Sequence, residues 1–441
     1  MTRAKLLRRI TGRLSEEEGG ITILGLYIFL MMMIFGGFAI DVTNVVQARA
    51  QLQIAADNAG HAALFWRDSH PPGEAKEKAL EIAYLNMPDA TFGEILKEED
   101  IEFGTWDSIT RTFTPDAMSK TAVYVSTKRQ SANNNALSTY LLKVIGVANW
   151  ELDTGSVWER YQPGCLREGF VADSIVDVQS NNVYRDGFCI HSNTGVELNN
   201  NNTYEEGSIV SMPDWTTDLV LPSGGWESND GLNDALRDGA FEFDMEQRIN
   251  NFVVALTDPT SEEYRPYTLS PTPVSMSRTD TFDATTLLPG GVYSVQNCSG
   301  NQKLTIPNSE VIVGVVLITN CKIQFGASAQ LIDSVVATTN TSASSISAAA
   351  GFTIGADDNC APTGDAQIMT LGGISIPANL NLFGAQMLAA GDANFTANAL
   401  GTQGASVVVG GTISGTSNME MAFCGNGMPS NFDFDFFRMV M

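Results

Sequence analysis

Six cysteines and three histidines carry the most position-dependent chemistry in this chain of 441 residues. Cys165, Cys189, Cys298, Cys321, Cys360 and Cys424 all follow a long apolar run, and none precedes it. An even set on one side of such a run fits disulfides formed in an oxidising compartment. Many pairings are open; joining neighbours (Cys165–Cys189, Cys298–Cys321, Cys360–Cys424) closes local loops and is the expectation, with free buried thiols as the alternative. No CxxC occurs and His61, His70 and His191 lie well apart, so neither a metal site nor a cofactor is expected.

Catalytic patterns are also missing. There is no Walker phosphate loop, no GxSxG and no HExxH. His191 stands without an evident nucleophile and acid, and reads as a satisfied surface or turn histidine. The nearest acid–base cluster is Asp173, Asp177, Arg185 and Asp186, which acidic turns explain without catalysis. No enzyme is expected. Trp106, Trp150 and Trp158 read as core; Trp215 and Trp226, beside Pro and Gly, are the candidates for stacking on sugar rings. The net charge of −25 argues against a nucleic-acid surface. No acidic loop has calcium-site spacing.

What must position these residues begins with Ile21–Ile40, ITILGLYIFLMMMIFGGFAI, a run without a charge. As a helix it is long enough to cross a hydrocarbon core of about 30 Å. Arg3, Lys5, Arg8, Arg9 and Arg13 precede it, and the next basic residue is Arg49. The positive-inside rule then predicts residues 1–20 as a cytoplasmic leader and export of the remainder. The run exceeds a usual signal core and no small-x-small site abuts its end, so it is expected to stay as an anchor. Residues 41–70 are rich in Ala, Gln and Leu and predict a helical stalk. Leu52, Ala55, Ala56, Ala59, Ala62 and Ala63 form a small-residue stripe, suited either to its own domain or to a partner helix.

Asp41 directly after the run, then Arg49, Leu52-Gln53 and Ala55-Ala56-Asp57, resemble the N-terminal region of TadG-like Flp (tight adherence) pilus assembly proteins, relatives of the TadE and TadF pseudopilins. Asn58, Gly60 and His61 interrupt the alanine run usual there. Gly25 stands where a prepilin peptidase site following Gly19-Gly20 would have Glu, and no DxSxS metal-adhesion motif occurs. The resemblance implies a bacterial inner-membrane protein, single-pass, N-terminus cytoplasmic and the large C-terminal part periplasmic. It also implies a non-enzymatic role in assembling or anchoring a type IV-like pilus and supporting adhesion. Its partners would be pseudopilins and secretion-platform components, besides the bilayer through residues 21–40. The alternative is a membrane-anchored β-helical adhesin or glycan binder.

Residues 71–162 predict a small α+β domain. Glu74–Asn86 has helical spacing, Ile101–Pro115 reads as a hairpin around Asp107-Ser108, Ala122–Gln130 alternates as a strand, and Ala136–Gly146 reads as a helix. Residues 163–441 are mainly β. Short apolar runs broken by Gly or Asn at fairly even intervals favour a parallel β-helix over a β-sandwich. Stacked coils would turn Ile312, Val316, Ile318, Ile323, Leu331, Ile332 and Val335 inward, with Asn199 to Asn202 in an asparagine ladder. A helical insert is expected near 231–256, and Ser342–Ala350 reads as a flexible surface loop.

Overall fold

The computed structural model describes residues 19–161, 164–425, 431 and 435–441, so the leader's basic residues lie outside the described residues. The chain divides into two compact units, Met1–Tyr161 with Asp435–Met441, and Gln162–Phe434.

The first unit is built on one helix, α1 (Gly19–Arg67). Without a proline or charge across Ile21–Ile40, nothing interrupts it, and at 1.5 Å per residue it is about 74 Å long. From Ile21 to Phe35 its large apolar side chains are exposed. Further on, one stripe is buried: Leu52, Ala55, Ala56, Ala59 and Ala63 are fully covered. α2 (Pro72–Asn86) starts with Pro at its first position, where no N–H is needed, and buries Ala75, Ala79 and Ala83. These alanines share a core with Ile101, Phe103, Val123 and Val125 of a five-stranded antiparallel sheet. The stripe on α1 is thereby used up inside its own domain; it is not a surface for a partner.

The sheet runs β2 (Thr112–Pro115), β1 (Ile101–Asp107), β3 (Ala122–Arg129), β4 (Leu152–Tyr161) and β5 (Phe436–Met439). β5 is the C-terminus returning to pair with β4, Phe436 opposite Tyr161 and Met439 opposite Trp158. A boundary at 163–441 misses this strand. Arg160 clamps the return, bonding Asp68 at 3.0 Å and also Asp435.

Ala136–Gly146 is not an α-helix. Leu137–Ser138 pairs with Asn149–Trp150, and Leu142–Ile145 makes one 3-10 turn ended by Gly146 at φ 94°. The reason is tertiary: a helix from Ala136 would bond the Tyr140, Leu141 and Leu142 amides to the carbonyls of Ala136, Leu137 and Ser138, and Asp41, described below, takes all three.

The second unit is a parallel β-helix, not a sandwich. Tyr293, Leu317, Val336, Ile368, Met387, Val407, Phe170, Ile190, Val210 and Leu236 are opposite one another from coil to coil, and all are buried in one core. The stacking order is not the chain order. Ser406–Val409, near the end, pairs with Gly169–Ala172, near the start. The chain therefore enters in mid-stack, winds out to Leu236–Asp238, passes through residues 239–291, and winds back from the opposite end.

That long passage contains α3 (Met245–Ala255), capped by the Asp244 side chain on Gln247 N–H at 3.0 Å. The expected insert at 231–256 is helical at Leu232–Ala235 and Met245–Ala255, with a solenoid strand, Leu236–Asp238, between them. α3 and the residues after it cover an outer face of the coils. Met245 lies against Gly410, and Arg265 bonds Gln367. The inward set expected from the sequence needs correction. Ile312, Ile323 and Leu331 do point inward, whereas Val316, Ile318 and Val335 are buried but flank the inward Leu317 and Val336 on the opposite face, and Ile332 is half-buried. Strands covered on both faces read as continuous apolar runs, so alternation cannot say which side is inside. Ser342–Ala350 is likewise built in: Ile346–Ala348 is a coil strand, and the buried Ser345 hydroxyl donates to Gly373 O at 2.9 Å.

Candidate functional site

Asp41 ends the apolar run and points its carboxylate at three successive amides. Oδ1 accepts from Tyr140 N–H at 2.5 Å; Oδ2 accepts from Leu141 and Leu142 N–H at 2.9 and 2.7 Å. Burial by itself raises its pKa, but these three donors, with the Lys143 charge behind them, hold the carboxyl below its ordinary value. Ionised, it fastens residues 140–142 to the helix as it leaves the apolar run.

The other pattern residues join helix to sheet at separate points. Gln53 Nε2 donates to Asp57 Oδ1 at 2.8 Å and to Gly155 O on β4 at 3.1 Å. Leu52 is core, and its carbonyl accepts from the buried Thr127 hydroxyl at 3.0 Å. Arg49 is exposed. The departures at Gly60 and His61 have a local cause: a Cβ on Gly60 would sit 2.6 Å from Trp158, and the His61 ring lies 4.8 Å from that indole.

In the solenoid the six cysteines form Cys165–Cys189, Cys298–Cys321 and Cys360–Cys424. His191 is buried; its Nδ1 lies 2.7 Å from the Ser211 hydroxyl and its Nε2 2.9 Å from Asn193 Oδ1. Burial pushes its pKa down, so it is a neutral, satisfied ring. The Asp173–Asp186 cluster does not converge. Asp173 accepts from Asn193, Asp177 from Gln179, and Arg185 bridges Glu205 and Glu420 on neighbouring coils. Trp215 and Trp226 meet edge to face at 6.5 Å, the first packed on the core and the second half exposed.

Two features escape a reading by residue type. One is an asparagine ladder broader than Asn199–Asn202. Asn182 and Asn202 stack buried, Asn202 Oδ1 accepting from both the backbone and side chain of Asn182 at 3.0 Å, and Asn229 continues below. Asn418, Asn181 and Asn201 form a second, exposed column, each at positive φ. The signal was there: Asn-Asn-x-Tyr with Gly three residues on recurs at Asn181–Gly187 and Asn201–Gly207.

The other is a cavity of about 580 Å³ between Arg265–Leu269 and the coils, reaching Val313, Asp333, Val335 and Asp365. The buried Arg265 guanidinium lies over the Phe252 ring at 5.5 Å. Burial, with Asp358, Asp333 and Glu168 adding repulsion, pushes Asp365 up to about 7. Asp365 Oδ2, Arg265 Nε and Tyr267 Oη have no hydrogen-bond partner among the described residues. The lining offers Asp333, Ser334, Thr363, Asp365 and Gln367 beside Arg265 and Tyr267, so it could hold a small polar group.

A helix long and apolar enough to cross a membrane, continuous with a small α+β domain and followed by a disulfide-bonded parallel β-helix, defines the class of protein. Within it, the chain belongs to the family described as a domain of unknown function (DUF7867), whose model matches residues 169–425, more than half its length. Residues 19–67 match the Flp pilus-assembly TadE/G-like family, so the N-terminal segment is that of a TadG-like protein. No curated protein and no solved structure matches the chain.

Proposed function

We propose that this protein is a non-enzymatic, membrane-anchored component of Flp/Tad pilus biogenesis, assembling or anchoring the pilus in the envelope and supporting adhesion. The match of residues 19–67 to the TadE/G-like family carries the reading, because those residues are α1 itself. The charge asymmetry about residues 21–40 supports an inner-membrane, single-pass anchor with a cytoplasmic N-terminus and a periplasmic remainder. Its partners are pseudopilins and secretion-platform components, docked on the stiff solenoid. Strand-on-strand stacking and three disulfides keep that surface rigid, which suits a scaffold.

The test is a surface-fibre count by electron microscopy on an in-frame deletion strain. Fibres should be lost and then restored by the full chain, but not by one lacking residues 21–40. Normal fibres and normal adhesion in the deletion strain would refute the assignment. The half-exposed Trp226 beside Trp215 favours a second reading, glycan binding; it predicts sugar affinity that Trp226→Ala abolishes.

A further inference from the structure

Four large side chains from Tyr140 to Val147 are exposed on one short segment. Val144 is 79% exposed, Tyr140 59%, Leu141 45% and Val147 40%. A cluster of this kind marks a surface that meets something apolar. Its attachment says what. Leu141 packs on α1 at Gly37, where even a Cβ would come within 2.7 Å of Leu141 Cδ1. Gly37 lies inside the apolar run, about 4.5 Å along the helix from its end at Ile40. One turn on, Asp41 grips the amides of Tyr140, Leu141 and Leu142. On the helix at this level, Phe38 and Ile40 are exposed as well.

We propose that Thr139–Val147 is a membrane foot, which sets Tyr140, Leu141, Val144 and Val147 into the interfacial layer of the bilayer that residues 21–40 cross. The occupant is lipid because the surface is continuous with the spanning helix and fixed at the depth where its apolar run ends. Tyrosine suits that layer, with ring in and hydroxyl at the headgroups. The exposed Lys143 can lay its stem along the apolar side and keep its ammonium in water. The foot turns a single-helix anchor into a two-point footing and sets how the small domain stands on the membrane. Asp41 is its positioning residue. The inference rests on residues 21–40 being a membrane span.

The experiment uses the full chain in phosphatidylcholine vesicles containing nitroxide-labelled lipid. All six native cysteines are in disulfides, so a single added thiol can carry an environment-sensitive fluorophore. Labels go on Val144→Cys, on Ile109→Cys at the 93% exposed hairpin tip, and on Ile28→Cys in the span. The expected result is blue-shifted emission at 144, shielded from aqueous iodide and quenched by lipid at least about threefold more than at 109. Emission at 144 that iodide reaches and lipid does not would overturn the foot. Quenching by neither, the signature of a protein contact, would overturn it too. Lipid quenching absent at 28 would instead refute the span beneath it. Adding Asp41→Asn should move 144 toward the 109 behaviour with 28 unchanged; an unmoved 144 would remove Asp41 from the device.

Discussion

Asn202→Ala should weaken the first-wound coils far more than the size of the side chain suggests. Asn202 is 1% exposed. Its Oδ1 accepts two bonds from Asn182, and its Nδ2 donates to Asn199 O, all at 3.0 Å. Truncation deletes all three and strands the Asn199 carbonyl, a part-buried acceptor, while the Asn202 backbone bond to Asn229 survives. At about 1 kcal/mol net per bond the loss is roughly 3 kcal/mol. The assay is amide exchange followed by mass spectrometry on peptides covering residues 182–212, where roughly 3 kcal/mol reads as about 100-fold faster exchange. Asn201→Gly is the control. Its φ of 66° suits glycine, and it gives up one exposed 3.4 Å bond, so exchange should change by less than about twofold. Acceleration below about fivefold for Asn202→Ala would show that the buried column is filler rather than a stacking device.

Ala59→Lys, in a stripe buried against α2 and the sheet, should cost the first unit about 3–5 kcal/mol and bring proteolysis within residues 41–161; a stable, functional variant would refute intramolecular packing. Asp365 has a folded-state pKa raised to about 7 from 3.8, so the folded state holds a proton that the unfolded state releases first. Solenoid stability should therefore fall as pH rises from about 4 to about 7 and level off above, a slope that Asp365→Asn removes; thermal unfolding against pH measures it. Replacing Cys360 and Cys424 by Ser frees a loop with sequence separation 64, against 24 for Cys165–Cys189. Loop entropy makes the first pair dearer to lose by about 0.9 kcal/mol, which urea midpoints of the two double variants compare.

The candidate site was partly legible. Asp41, Gln53 and Asp57 were visible as a pattern, but their roles were not, because a carboxylate's meaning depends on which amides reach it. Asp41 binds residues 99 to 101 positions away. The cavity near Arg265 could not be seen, since its walls come from segments up to 102 residues apart, as the Arg265–Gln367 bond shows. Asp173, Asp177, Arg185 and Asp186 show the opposite case: they are close in sequence but part company in space, because each turn of a coil faces a different direction.

By itself the sequence determined what depends on local order and composition. An uncharged run of twenty residues dictates a long exposed helix, and six cysteines placed beyond it mark a stapled domain. Apolar runs broken at even intervals by Gly and Asn dictate coils, since each break turns the chain and each run supplies a strand. Tertiary structure alone decided which neighbour each surface meets. It folded the alanine stripe into its own domain, unmade a helix at Ala136–Gly146 through Asp41, and stacked the last coil on the first. It also laid Arg265–Leu269 against an outer face, beside Val335, which is buried without belonging to the inner core. Periodicity records that a side chain avoids water; only the assembled fold says what it is covered by.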